Sequence, residues 1–540
     1  MSIDRRYNRQ LVRSACLLAA VLSLVAGSSR GQQPAQNSAG SAGLSTVVCE
    51  SKEGERQHCP ADTSAGVVLV RVTGSAACLL GRSWGYDAQG IWVTEGCGGE
   101  FAVATQAPAV PTPAPPAVPE PTPPGAPPAA AAPAGTWEPT EESDTWGTYD
   151  PGRGFLVGRT SFGELSISGY ALIRYLNQND DDGVFTDHLG NERVVDTRHD
   201  LLSHRVIIWV KGWLGDPRLI YALTVWTVNA TDQDAIFGNL GYRFNKKFNL
   251  YAGVNGNPGS RSLQGSHPFW LGHDRVMADE LFRPYFAVGL WANGEIAPGL
   301  WYSAQLANSN SALGVTANEL DRKLQTVSAS MWWMPTTHEF GPRGGYGDWE
   351  YHEKLATRFG FSSTQSPEQS FRDSSGNPEN TTLRLADSLN LFETGSLAPG
   401  VTVDEAHFRV LAVDAGMKYK GFFLQAEYYN RRLFDFKTDG PLPVEEIVDH
   451  GFYIQGAFYP IKQKLELYAA TSQIFGDGDA GFDNSSEYLA GMNFYPFDTR
   501  NHRLNLQLMD VNNSPVSSAF GYYVGGQDGF TVSTAFSVFF

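Results

Sequence analysis

The chain has 540 residues, with 40 Lys and Arg against 57 Asp and Glu, a formal charge of −17. Residues 1–136 hold 9 basic and 9 acidic residues while residues 137–540 hold 31 and 48, so the whole excess belongs to the C-terminal part. That balance excludes a nucleic-acid partner, whose phosphates call for clustered Lys and Arg, and 61 aromatic residues in the last 404 exclude a disordered chain.

In chain order, Arg5, Arg6, Arg9 and Arg13 precede an apolar stretch over 15–26 and then Gly27, Ser28 and Ser29. This order predicts a secretory signal peptide over residues 1–28. The stretch is shorter than the roughly 20 residues a membrane helix needs, and nothing later approaches that length. Residues 44–104 hold Cys49, Cys59, Cys78 and Cys97, which in an exported chain predict two disulfides of open connectivity. No C-x-x-C pair is present to favour zinc, and neither a metal nor a cofactor is expected. Short strands over 67–73 and 90–94, separated by Gly-rich turns, make this a small stapled β domain. Residues 47–103, with GRSWGYD at 81–87 and GIWVTEGCGGEF at 90–101, resemble a small cysteine-containing domain of unassigned function in secreted bacterial proteins. Trp84, Tyr86 and Trp92 are either the core of this domain or a stacking surface for sugars. Residues 105–136 form a linker, in which 107–135 hold 12 prolines. A polyproline spacer of that length reaches about 90 Å.

From residue 137 to 540 the dominant signal is period-two alternation. In the last segment Phe530, Val532, Thr534, Phe536, Val538 and Phe540 share one face, and Thr531, Ser533, Ala535 and Ser537 share the other. About sixteen such segments start near residues 162, 200, 218, 235, 247, 284, 299, 324, 354, 405, 420, 451, 463, 486, 502 and 530. Long polar connections alternate with tight turns, which a soluble sandwich has no reason to do. The pattern predicts an all-β fold: a transmembrane antiparallel barrel, apolar outside because lipid cannot hydrogen-bond a strand edge. Two connections depart from it, since 229–234 is short where a loop is expected and 335–353 is long where a turn is expected. Tyr170 and Tyr175, Trp209 and Trp213, Trp332 and Trp333, Tyr428 and Tyr429, and Tyr495 and Phe497 are expected as aromatic girdles.

Residues 155–540 resemble outer-membrane porins of the phosphate- and pyrophosphate-selective type, on the stretches 265–309, 332–360 (WWMPTTHEFGPRGGYGDWEYHEKLATRFG) and 525–540 (GGQDGFTVSTAFSVFF). The resemblance implies sixteen strands, passive conduction of small hydrophilic solutes or ions, and a homotrimer in the outer membrane. It also implies a terminal strand ending in Phe540 that the barrel assembly machinery reads. Selective members line their pores with Arg and Lys, whereas this part is acidic and the chain has only 11 Lys, which runs against phosphate selectivity.

Counting strands from the periplasm, the third external loop is 257–282. In porins this loop folds inward, so Arg261, His267, His273, Asp274, Arg275, Asp279 and Glu280, with Arg283 beside them, are the expected constriction; solvated charges on an ordinary loop are the alternative. Arg205, Lys211, Arg243, Arg358 and Arg409 are expected to face the lumen. Asp180, Asp181 and Asp182, and Asp477, Asp479 and Asp483, resemble fragments of calcium loops but lack the terminal Glu, and read as loop carboxylates at the lipopolysaccharide surface. Within residues 137–540 Walker, H-E-x-x-H and G-x-S-x-G motifs are absent, which lowers the odds of a barrel enzyme. The remaining class is a cell-wall tether. An even-stranded barrel leaves the N-terminal domain in the periplasm, facing peptidoglycan or another glycan.

Overall fold

A computed structural model describes residues 44–104, apart from 53, 64–66, 75, 77, 79–82 and 88, and residues 154–540, apart from 229–232, 311–322, 371–382 and 518–520. The expected signal peptide and proline linker lie outside the described residues. The chain divides into two compact units between Ala130 and Ala131.

The N-terminal unit has six strands: β1 (Leu44–Glu50), β2 (Arg56–Pro60), β3 (Val67–Val72), β4 (Trp84–Asp87), β5 (Gly90–Thr94) and β6 (Gly98–Ala104). They pair as two antiparallel sheets, β1–β6–β3 and β2–β5–β4. Ile91, Val93, Phe101 and Trp84 form the core together with Cys49 and Cys97. So small a unit buries little apolar surface, and cross-links compensate by restricting the unfolded chain. The connectivity left open by the sequence is Cys49–Cys59, which ties the two sheets together, and Cys78–Cys97.

The second unit begins with β7 (Phe155–Arg159), β8 (Gly163–Gln178), a hairpin of β9 (Val184–Thr186) and β10 (Glu192–Val194), β11 (His199–Leu214), β12 (Asp216–Val228), β13 (Gln233–Asn245) and β14 (Phe248–Gly256). A one-turn helix α1 (Met277–Phe282) follows, then β15 (Phe286–Ala297), β16 (Leu300–Ala307), β17 (Thr326–Trp333), β18 (Ala356–Gln369), β19 (Val403–Tyr419) and β20 (Phe422–Thr438). The chain closes with β21 (Glu446–Ile461), β22 (Leu465–Phe475), β23 (Ser485–Phe494), β24 (His502–Asn512) and β25 (Gly529–Phe539).

β8 and β11 to β25 make a closed sixteen-stranded antiparallel barrel, sealed by pairing Thr531 with Gln178 through Phe539 with Tyr170. Where β25 ends, β7 takes over the same edge of β8, pairing Phe155 with Ile167, and Phe155 packs on Phe540. The alternation read from sequence is the pleat itself. On β24, Leu504, Leu506 and Leu508 face outward and exposed, while Arg503, Asn505 and Gln507 face inward and buried. Ile208, Leu240, Phe361, Val413 and Ile454 extend the outer band around the wall. With no edge left open and an apolar exterior, the sheet meets both conditions lipid imposes.

The same pleat corrects the girdle assignments, because adjacent residues point to opposite faces. Tyr175, Trp333, Tyr428 and Phe497 face outward and are exposed, but Tyr170, Trp332, Tyr429 and Tyr495 are buried inside. Trp209 is likewise fully buried on the inner face, with Trp213 on that face beyond it.

Candidate functional site

The inward-facing residues meet chain that enters from both ends of the barrel. From the long-loop end, residues 257–285 cross the interior. The Arg261 N–H donates to Glu427 Oε1 (2.9 Å) on β20, and the Met277 N–H to Glu487 Oε2 (3.0 Å) on β23. Asn493 Nδ2 donates to Leu271 O (2.9 Å), and Arg503 on β24 to Trp270 O and Gly272 O. Apolar packing reinforces these anchors, since Met277, Leu281 and Phe282 of α1 belong to one core cluster with Phe408, Leu433 and Ile474 of the wall. Each such buried side chain contributes roughly 1.5–3 kcal/mol.

All eight residues expected at a constriction lie on this crossing loop. Asp274 sits between two buried guanidinium groups, Arg174 at 2.5 Å and Arg205 at 2.8 Å. Arg275 lies over the Trp270 ring (4.2 Å) and 3.5 Å from Asp279, and Arg283 pairs with Glu280 at 2.7 Å. A single hydroxyl, that of Tyr429, lies 3.0 Å from Asp279 Oδ1 and 2.7 Å from Glu427 Oε2, and its one proton is shared between loop and wall. His267 packs edge-on against Tyr170 and Trp270, and His273 presents its backbone N–H to Tyr522 Oη (2.9 Å). Burial, with Arg205 beside His267 and Arg503 beside His273, pulls both imidazoles well below their ordinary range, so both are neutral at pH 7.

The connection over 334–355, too long for a turn, enters from the short-turn end. Phe340 and Tyr346 join the same apolar cluster. Lys418 Nζ donates to Phe340 O (2.8 Å) and Gly345 O (2.7 Å), while Arg500 donates to Tyr346 O. The two intruding segments touch: the Tyr346 N–H donates to Phe269 O (2.7 Å), Arg343 Nε to Gly265 O (3.1 Å), and Arg261 to Gly344 O. Sequence reasoning missed this insert. Its signal is Phe340, Tyr346 and Trp349 in a connection that ought to be short and polar.

At the base of the insert Asp348, Glu350 and His352 bring ligand-type atoms within 4.8 Å of one another. The set is already neutralised, with Lys418 3.7 Å and Arg500 3.9 Å from Glu350 and His352 bonded to both Asp348 and Glu339. Burial lowers the His352 pKa, but the bonds to Asp348 and Glu339 outweigh it and raise it to about 9. For both carboxylates burial acts upward, yet the bond to His352 holds them below their ordinary range. This is an ion-paired clasp rather than an open donor set for a metal.

Of the five basic residues expected in the lumen, Arg205, Lys211, Arg243 and Arg358 are on the inner face. Arg358 donates to Asp414 (3.0 Å), for which Gly360 makes room: a Cβ there would lie 1.8 Å from the Asp414 carboxylate. Arg409 is a correction. It points outward and is exposed, because Phe408 and Val410 beside it are the buried inner residues. The net acidity also sits elsewhere than inside. Asp181, Asp404, Asp439, Glu445, Asp479 and Asp528 are exposed in or beside the connections, whereas buried acids such as Asp274, Asp414 and Asp449 carry cationic partners. The calcium-like runs cap turns: Asp477 accepts from the N–H groups of Asp479 and Ala480, and Asp180 from that of Gly183.

In the N-terminal unit the three aromatic residues do not form one surface. Trp84 is in the core against Phe101 (4.9 Å), Trp92 lies on the outer face across Gly85 with Arg56 above its ring (4.3 Å), and Tyr86 is exposed.

A closed barrel with an apolar band, polar inner groups, short turns at one end and long loops at the other is an outer-membrane architecture, and this chain is a bacterial outer-membrane β-barrel. Residues 46–114 match the model of a protein family of unknown function, DUF3011. No curated protein matches the chain. Among solved structures, OmpT of Vibrio cholerae is similar with a TM-score of 0.43 and 11% identity, over 72% of this chain and 100% of that one. An anion-selective porin from Comamonas acidovorans has a TM-score of 0.39 and 12% identity over 70% and 100%. The channel DcaP of Acinetobacter baumannii has 0.41 and 10% over 72% and 100%.

Proposed function

We propose that the barrel is a passive diffusion channel for small hydrophilic solutes or ions, and that the disulfide-stapled unit is a periplasmic accessory module. The observation that carries this reading is a sixteen-stranded wall that keeps charged and polar residues inside, narrowed by an inward-folded third loop. In this reading the eight loop residues set the bore chiefly by holding the loop in place, since Asp274, Arg275, Asp279, Glu280 and Arg283 are paired with one another or with the wall, Arg261 bonds the insert, and the two histidines are neutral. The channel works as a homotrimer among lipopolysaccharide and outer-membrane lipid, and its terminal strand through Phe540 is the segment read by the assembly machinery. No phosphate ladder is part of the proposal.

One observation favours a second reading. The interior is packed with apolar side chains from both ends, as suits a barrel that anchors a wall- or glycan-binding module. Swelling of proteoliposomes in neutral sugars of increasing size separates the two. A channel gives rates that fall with solute size and do not saturate, whereas a tether gives none, and retention of the protein on purified peptidoglycan would then support it.

A further inference from the structure

The inner face of the barrel is covered unevenly. On β8 the inward residues Ser166, Ser168, Leu172, Arg174 and Leu176 are all buried, and so are Phe423, Gln425, Glu427, Tyr429 and Arg431 on β20. Along β17 and β18, Ser328, Ser330, Ser362 and Thr364 are equally covered. On β12 and β13 the pattern changes: Thr224 and Gly241 are buried, but Ile220, Ala222, Trp226, Phe237, Asn239 and Arg243 are only half-buried. The register makes them one stripe, because Ala222 pairs with Asn239, Thr224 with Phe237 and Ile220 with Gly241, all on the inner side.

The cause lies in where the intruding segments find partners. The crossing loop is drawn to β20, β23 and β24 by Glu427, Glu487, Asn493 and Arg503, and to β8 and β11 by Arg174 and Arg205. The insert is drawn to β19 and to the β23–β24 turn by Lys418 and Arg500. Loop backbone brought inside must satisfy its N–H and C=O groups, so it lies where polar side chains receive it. Half of the stripe's inward positions, Ile220, Ala222, Phe237 and Gly241, give such backbone nothing to bond.

Resting on the channel reading, the geometry points to an off-centre path: solutes cross the barrel along the β12–β13 wall, and Arg243 is the side chain that reads their charge there. The paired guanidinium groups of the crossing loop, Arg275 and Arg283, then act as struts.

The test uses the full-length protein, whose four module cysteines are all disulfide-bonded. Ala222→Cys and Asn239→Cys on the stripe are compared with Ser330→Cys and Ser362→Cys on the covered wall, using a charged water-soluble thiosulfonate reagent. Close packing excludes the reagent, so the stripe thiols should label faster by about tenfold or more, read by mass. Labelling should also lower the single-channel current at the stripe and leave it unchanged at the covered wall. Two stripe positions on different strands keep the test valid if one variant misfolds, and Arg243→Glu adds a second readout by moving the reversal potential toward cations. Equal labelling of both walls, or a current untouched by modification at both stripe positions, overturns the off-centre path while leaving the channel standing. Fast stripe labelling in a protein that carries no current overturns the channel reading and the path with it.

Discussion

The β12–β13 wall and the β18–β24 wall are built from the same alternating strands, yet one is half-open on its inner face and the other is buried from end to end. The difference lies in which polar side chains each wall offers to intruding chain. Glu427, Glu487, Asn493, Arg503 and Lys418 give the crossing loop and the insert places to bond, whereas Ile220, Ala222 and Phe237 do not. Inner-face polarity thus decides what fills a barrel as much as what passes through it.

The largest expected contrast comes from removing a strut on the covered side. Asp274→Asn leaves Arg174 and Arg205 without their shared carboxylate, and breaking such a buried group costs roughly 3–5 kcal/mol. Arg243→Gln on the half-open stripe should cost far less, and urea refolding into detergent or lipid measures both. Next, Leu506→Arg on the outer face of β24 should cost about 2–4 kcal/mol in the same assay, because that face meets lipid. The opposite substitution class, Gln507→Leu on the inner face, tests whether polarity or packing matters there, because it removes the acceptor of the bond Tyr468 donates to Gln507 (2.8 Å) and leaves that buried hydroxyl to find another partner, at a cost of roughly 1–3 kcal/mol.

The clasp at the base of the insert gives a pH dependence. His352 has a folded pKa of about 9, above its ordinary value of 6.5, so the stabilisation it gives is complete below about 6.5 and is lost as pH rises through 9. The groups facing it are Asp348 and Glu339, with Glu350 and Lys418 beyond. Tryptic cleavage at Arg343 in the insert should therefore rise between pH 7 and 10, and His352→Gln should flatten that rise. The smallest effect belongs to Arg409→Glu, which faces outward and should leave ion selectivity unchanged in a bilayer, in contrast to Arg243→Glu.

The barrel was legible because a wall that is apolar where it faces outward and largely polar where it faces the interior writes its pleat directly into the sequence. The segment starting near residue 502 is β24, and the one near 530 is β25. Sidedness was harder. Tyr170 and Tyr175, or Trp332 and Trp333, look alike in composition, yet one of each pair packs inside against the crossing loop or the insert. Arg409 misled for the same reason, since Phe408 and Val410 are apolar because they meet the interior cluster and not because they meet lipid. The insert over 334–355 left two traces, a connection too long for a turn and the aromatic residues Phe340, Tyr346 and Trp349 within it. Net charge proved uninformative about the lumen, because buried acids such as Asp449 are paired with cations such as Arg431 while exposed carboxylates crowd the connections.

The central claim is that solutes cross this barrel despite its packed interior. Single-channel recording of the full-length protein in planar bilayers tests it most directly. The account predicts discrete current steps that grow with salt concentration, and a membrane that stays tight at every salt concentration and voltage would contradict it.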